Sequence, residues 1–424
     1  MTTVDQQKIR RTRTGLIAHD PQLAQPGYTL FAPMLGDGTV YLIGMDGKVE
    51  HTWHMPYRPG LYGYLLDNGH LFYSGKVMDD LGRFEAWPRF KGGAVLEVDW
   101  HGRALWELRH PDHHHDARRL RNGNVILLCL RPLPPEIAGR VRGGLPGTEA
   151  DGTIYGDYLL EVTTAGEVVW EWRSWEHLDP ETYPITPQDH RAEWTHGNTV
   201  AETADGHLVV SFRNISTVVM IERATGQIVW RLGSPPLAQQ HEPPPLPTGN
   251  ILIFDNGTHR RDHPATFSRV IEVDPRTDTI VWEYADQSLF EFFSPYISGA
   301  QRLANGNTLI CEGCHGRIFE ITPAREVVWE YVSLKVSGCF EVLDLSDYSS
   351  LTEADSYILY ELFAIGAERR RAKTNVPPLV EKPAPGYSVT WLKDHDIPRY
   401  LLRLRANMGA EGQKDFEKSF PMSK

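Results

Sequence analysis

Four cysteines, Cys129, Cys311, Cys314 and Cys339, are spread through 424 residues. They are too few to form a disulfide scaffold in a chain of this length, which agrees with a reducing compartment. Positive charge is also scarce: Lys and Arg number 43 against 55 Asp and Glu, for a formal net charge of -12. That balance argues against wholesale nucleic-acid binding and requires a locally basic pocket for any anionic ligand. No apolar run is long enough to span a bilayer. Met1 to Asp20 carries Lys8, Arg10, Arg11 and Arg13 but no apolar signal-peptide core, so the expectation is a cytoplasmic protein that engages neither membrane nor nucleic acid. A Gly-x-x-x-x-Gly-Lys-Ser/Thr loop, the cradle for a nucleotide donor, is missing as well.

Apolar residues make up 41% of the chain, with 12 Trp, 17 Tyr and 15 Phe, enough to bury a large core. One phrase recurs: an apolar strand, a Gly or Asp turn, then a strand ending in Trp. Its six copies run from Tyr41-Leu42-Ile43 to Trp53, Val95-Leu96-Glu97-Val98 to Trp106, Leu159-Leu160-Glu161-Val162 to Trp170, Val219-Met220-Ile221 to Trp230, Val270-Ile271-Glu272-Val273 to Trp282, and Ile318-Phe319-Glu320-Ile321 to Trp329. Between them sits a second phrase, a tight turn at Asn68-Gly69-His70, Asn122-Gly123-Asn124, Asp205-Gly206-His207, Gly249-Asn250 and Asn305-Gly306-Asn307. Asn-Gly and Asp-Gly between apolar runs signal hairpins, because both turn positions tolerate positive φ.

Four strands per unit of roughly fifty residues predict an all-β, six-bladed β-propeller. The predicted division is an N-terminal segment 1-26, a propeller 27-333 and a C-terminal extension 334-424. The first unit, Gly27 to Pro56, lacks the turn phrase, so strands from the chain's end are expected to complete it and close the ring. Insertions at Arg131 to Tyr155 and Glu176 to Arg191 are expected to rise over one mouth of the channel as a lid. After Val332 the pattern breaks. Leu351 to Arg371 has helical spacing and ends in an Arg run, Val376 to Pro385 is Pro-rich, and Met408 to Lys424 is polar.

The first strand of each blade lines a propeller's channel, which nominates Leu61, His115, His196 with Asn198, His241 and Ser298 as channel residues. Three of these five blade starts carry histidine. His196 and Asn198, two apart on an apparent strand, should share a face. The antiparallel return through Ser211-Phe212 should bring Arg213 beside them. A neutral base, an amide and a fixed cation meeting at one point suit an anion.

These residues resemble the arylsulfotransferase (arylsulfate sulfotransferase) family. Its pattern of His-x-Asn at a blade start, Ser-x-Arg on the next strand and a later His ahead of Phe-Asp-Asn-Gly is similar to His196-Gly197-Asn198, Ser211-Phe212-Arg213, and His241 followed by Phe254-Asp255-Asn256-Gly257. His115 takes the place of another channel histidine, and the likeness covers Gly27 to Ser333. It implies a six-bladed propeller that moves a sulfuryl group from a phenolic sulfate to a phenol, with no cofactor. In that scheme His241 is the nucleophile and forms a sulfohistidine. Arg213, Asn198 and His196 neutralise the sulfuryl oxygens, and His115 protonates the departing phenolate.

Two other readings stand beside this one. His115, His196, His241 and His315 offer imidazoles for iron, copper or zinc in a metal-dependent oxygenase or lyase, although Arg213 at the same centre would repel a cation. A non-catalytic binding propeller is the third. The partner expected for the enzyme is a small aromatic molecule, and the oligomeric state, a homo-oligomer included, is left open. Cys311-x-x-Cys314-His315 reads as a turn with incidental thiols. The stretch His259 to His263 reads as a solvated charge cluster.

Overall fold

The computed structural model describes residues 13–333. The expectations for 334–424, including the helix, the Arg run and a closing or capping role, lie outside the described residues.

The described chain is a six-bladed β-propeller. Blade 1 has three strands, Thr29–Phe31, Thr39–Ile43 and Val49–His54, and blade 2 has four, Arg58–Leu65, Leu71–Lys76, Gly93–Val98 and Ala104–Arg109. Blade 3 is His113–Arg119, Val125–Pro132, Tyr155–Val162 and Val168–Arg173. Blade 4 is Gly197–Glu202, Leu208–Phe212, Thr217–Ile221 and Ile228–Leu232. Blade 5 has Ile251–Asp255, Arg269–Asp274 and Thr279–Tyr284, with His241 and Pro245 bridging to Phe254 and Ile251 on its inner side. Pro243, Pro244 and Pro245 supply no N–H there, so a regular inner strand cannot form. Blade 6 is Gly299–Arg302, Thr308–Glu312, Arg317–Ile321 and Val327–Val332, and Gly15–His19 joins its outer edge as a fifth strand.

That fifth strand is not visible as a repeat. It carries one apolar phrase without a turn or a partner hairpin, and its pairing spans the length of the propeller, Gly15 with Val332 and His19 with Trp329.

The repeated tryptophans explain how the ring holds. Each donates its indole N–H into the outer turn of the following blade: Trp53 to Asp99 O at 3.1 Å, Trp106 to Thr164 O at 2.8 Å, Trp172 to Gly226 O at 2.9 Å, Trp230 to Asp278 Oδ1 at 2.7 Å, and Trp282 to Pro323 O at 3.4 Å. Trp329 then reaches Met45 O of blade 1 at 2.9 Å and completes the circle. In blade 3 the residue in this role is Trp172, two positions beyond the Trp170 marked by the repeat. The glutamates of the repeated phrase have their own task, tying the third strand to the hairpin turn. Asn124, Asn250 and Asn307 donate to Glu161, Glu272 and Glu320 at 2.6, 2.7 and 2.6 Å.

The two insertions pair with each other, Gly143–Leu145 running parallel to Ile185–His190. Thr186 N donates to Asn214 O at 2.9 Å, which seats this small sheet on the turn that follows Arg213. A further insertion within blade 2, Val77 to Gly92, contains the short helix Trp87–Phe90. No helix among the described residues is long and apolar enough to cross a membrane.

Candidate active site

The blade starts share an unusual backbone. Leu61, His115, His196 and Ser298 adopt φ of 109°, 49°, 50° and 85°, and Glu242, next to His241, adopts 40°. Positive φ is uncommon for residues with a Cβ and concentrates where the surrounding structure enforces a special side-chain direction. The pairing of first and second strands slips register around Leu61 in blade 2 and His115 in blade 3, and at Asn198, two residues after His196, in blade 4. A bulge re-aims the side chain it carries. His196 and Asn198 are therefore set by a bulge rather than by the regular alternation that their spacing suggests. Arg213 returns beside them as the antiparallel pairing requires, its N–H donating to His196 O at 3.0 Å.

His115 and His196 lie edge to face with ring centres 4.8 Å apart, and Phe90 from the blade 2 insertion packs on both, at 4.7 and 4.8 Å. Burial drives the pKa of His115 well below the ordinary imidazole value, helped by the fields of His196, His114, His241 and Arg213. His241 is pushed down to about 3, first by burial and then by Arg213. Both rings are neutral at physiological pH.

His241 is held with particular definition. Its backbone exchanges hydrogen bonds with Phe254 at 2.9 and 3.2 Å, and its Nδ1 lies 2.8 Å from Asn256 Oδ1. Asn256 Nδ2 donates to Ser294 O at 2.7 Å and Ile297 O at 2.9 Å, which fixes the amide with its oxygen toward the ring. Nδ1 of His241 therefore carries the hydrogen and Nε2 keeps its lone pair.

His196 Nδ1 lies 2.6 Å from Glu193 Oε1, so its Nδ1 hydrogen points at a carboxylate. Asn198 Nδ2 donates to Gln240 O at 2.9 Å and Thr199 Oγ1 donates to Asn198 Oδ1 at 3.3 Å, so this amide steadies the backbone next to His241. Arg213 Nη1 donates to Asn214 Oδ1 at 3.0 Å and lies 3.5 Å from Asp189 Oδ1 of the lid, while Gln239 Nε2 donates to Asp189 Oδ2. Arg213 is thus a cation with a loose acidic partner, open to exchange it for another anion.

Neighbouring residues and the other candidates fall elsewhere. His113 is a structural histidine, with Nδ1 accepting Gly93 N–H at 3.0 Å and burial lowering its pKa to about 3. Ser298 Oγ donates to Ser294 Oγ at 2.7 Å and accepts Gly313 N–H at 2.9 Å. His315 sits in the 3-10 turn Gly313–His315, its side chain a third exposed and 3.8 Å from Glu312. Among the described residues no group of three or more His, Cys, Asp or Glu is arranged to hold a metal ion. Arg260 departs from the solvated cluster expected at His259 to His263: it is buried, donates to Asp255 Oδ2 at 2.9 Å and stacks on Phe267.

Sequence reasoning passed over Asn256, Glu193 and Phe90. Asn256 stands inside a quoted motif, but its partner His241 is 15 residues away, and only the folded hairpin joins them.

The fold is thus a propeller that gathers the neutral rings of His115 and His241 within the field of Arg213. The arylsulfotransferase (ASST) family model matches residues 20–238 and 236–335, and the chain belongs to that family, with an arylsulfotransferase-like function. No curated protein matches it. Among solved structures, a protein of unknown function from Bacteroides caccae is 14% identical, with a TM-score of 0.48 over 74% of this chain and 96% of that one. Virginiamycin B lyase from Staphylococcus aureus is 10% identical, with a TM-score of 0.42 over 76% and 85%. Hydrazine synthase from Kuenenia stuttgartiensis is 13% identical, with a TM-score of 0.42 over 72% and 78%. Likeness at this level carries nothing about chemistry.

Proposed function

We propose that this protein transfers a sulfuryl group from an aryl sulfate to a phenolic acceptor, both small aromatic molecules, through Nε2 of His241. The observation that carries this reading is the Asn256 clamp: Nδ1–H is committed to Asn256 Oδ1 at 2.8 Å, leaving the Nε2 lone pair as the nucleophile. Burial keeps that ring neutral, so no proton has to leave before it attacks.

In the first half-reaction the Nε2 pair forms the bond to sulfur, and the S–O pair leaves with the phenolate. Arg213 exchanges Asp189 for the sulfuryl oxygens and neutralises charge as it spreads over them. In the second half-reaction the acceptor oxygen attacks sulfur and the S–N pair returns to Nε2. A covalent intermediate of this kind splits one difficult transfer into two easier ones.

Initial-rate kinetics with a chromogenic aryl sulfate and a phenol test it. Parallel double-reciprocal plots, lost together with all turnover in His241→Ala, are the expected result. Intersecting plots, or turnover retained in His241→Ala, would overturn the covalent route.

A further inference from the structure

His115 poses a difficulty for the transfer proposed above. A ring this deeply buried, facing Phe90, His196, His114, His241 and Arg213, is a poor place to keep a positive charge. Yet the departing phenolate needs a proton, and the incoming phenol must lose one. Behind His115 stands a chain of groups that the transfer has not yet used. His114 Nδ1 lies 2.8 Å from His115 Nδ1, and His114 Nε2 lies 2.9 Å from Asp157 Oδ1. All three side chains are 5% exposed or less.

The partners of Asp157 settle where the hydrogens sit. Its Oδ2 accepts Gly197 N–H at 2.9 Å and the Thr195 hydroxyl, and Thr195 Oγ1 in turn accepts Asp157 N–H at 3.2 Å. Burial pushes the carboxyl pKa up, and the contacts with His114, Thr195 and Gly197 more than offset that, so it is held below its usual value as a carboxylate. His114 Nε2 sits 2.9 Å from the remaining oxygen, Oδ1, in poor hydrogen-bond alignment, and the negative charge that close favours the hydrogen on that nitrogen. In its neutral form His114 then has a bare Nδ1, so His115 Nδ1 must donate to it and His115 Nε2 keeps the lone pair on the channel side.

We propose that Asp157, His114 and His115 form a proton relay, in which His115 exchanges protons with the phenolic oxygens and the charge resides on His114 against Asp157. The proposal rests on the sulfuryl-transfer reading. Its steps balance. When an acceptor phenol attacks, its hydroxyl proton bonds to His115 Nε2, and the electron pair left on oxygen forms the S–O bond. The Nδ1 proton of His115 crosses to His114 Nδ1, leaving His115 neutral in its other tautomer and His114 as an imidazolium beside the Asp157 carboxylate. The free enzyme enters this charged form by taking one proton from solvent, and when a donor sulfate is cleaved His115 Nε2–H protonates the phenolate oxygen while His114 returns its proton to His115 Nδ1, leaving the neutral pair in the sulfated enzyme. His114 and Asp157 touch no substrate and act through His115.

Leaving-group dependence separates this relay from a merely structural role. Proton donation matters for a basic phenolate and little for a weakly basic one. The full chain, as wild type, His114→Gln and Asp157→Asn, is assayed with phenyl sulfate and with para-nitrophenyl sulfate at a common phenol acceptor. Each variant's rate ratio between donors is taken on one preparation, so any loss of folded protein cancels. First-half-reaction rates are expected to fall by about 100-fold with phenyl sulfate and by less than about threefold with para-nitrophenyl sulfate, in both variants. Equal losses on the two donors in an active wild type would overturn the relay alone. A wild type that transfers nothing from either donor would overturn the sulfuryl-transfer reading and the relay with it.

Discussion

Asn256 Oδ1 lies 2.8 Å from His241 Nδ1, and the amide cannot flip without giving up its bonds to Ser294 O and Ile297 O. One amide thus decides which nitrogen of the channel imidazole carries the electron pair. Asn256→Ala removes that decision while leaving the ring in place. The expected outcome is a kcat lower by about 100- to 10,000-fold with KM little changed, as for other sites where the histidine tautomer is lost. Steady-state kinetics check it, with circular dichroism to confirm the fold.

Arg213 and Asp189 give a paired expectation. Arg213→Met should lower kcat by about 100- to 1,000-fold, the scale of one lost charge-stabilising donor. Asp189→Asn should act in the opposite direction on binding. With the lid carboxylate 3.5 Å away neutralised, the guanidinium is freer for sulfate, and KM for the aryl sulfate should fall roughly two- to fivefold. Added salt should narrow that gap.

Ring closure predicts a stability effect at Trp329. Its indole is 1% exposed and its N–H meets Met45 O across the seam between blades 6 and 1. Trp329→Phe loses the donor, strands a carbonyl and opens a void, for an expected loss of about 2 to 4 kcal/mol. Trp282→Phe, with a longer 3.4 Å bond and a more exposed ring, should lose less. Denaturant titration of the two variants orders them.

Much of this architecture is legible in the sequence because it is local. The hairpin turns, the repeated glutamates and the tryptophans recur at fixed offsets, and three histidines fall at equivalent blade starts. What stays hidden depends on contacts distant in the chain. The Gly15–His19 strand finds its partner in the last strand of the sixth blade. Phe90 arrives on an insertion with no repeat signal and packs on His115 and His196. Asp157 is 43 positions from His114 and looks, in sequence, like any strand residue before the apolar Leu159-Leu160. The bulges that turn His115 and His196 are likewise invisible, since nothing in His-x-Asn announces positive φ.

Acid should destabilise the fold. His113 and His241 both have folded pKa values near 3, against about 6.5 in an unfolded chain. Between those values the unfolded chain binds more protons, so stability is complete above about pH 6.5 and is lost as pH falls toward 3. Each group contributes on the order of 1.4 kcal/mol per pH unit across that window. Melting temperatures recorded from pH 7 to about pH 4 should decline, and His241→Gln should decline less steeply.

The central claim is that sulfur becomes bonded to one nitrogen, and intact-mass spectrometry tests it most directly. The protein is mixed with excess para-nitrophenyl sulfate and no acceptor, measured, digested and mapped. The expected result is a gain of one sulfuryl group per chain on the peptide containing His241, absent from His241→Ala and discharged when a phenol is added. Release of nitrophenol with the protein's mass unchanged, or a sulfuryl group carried on another residue, would contradict it.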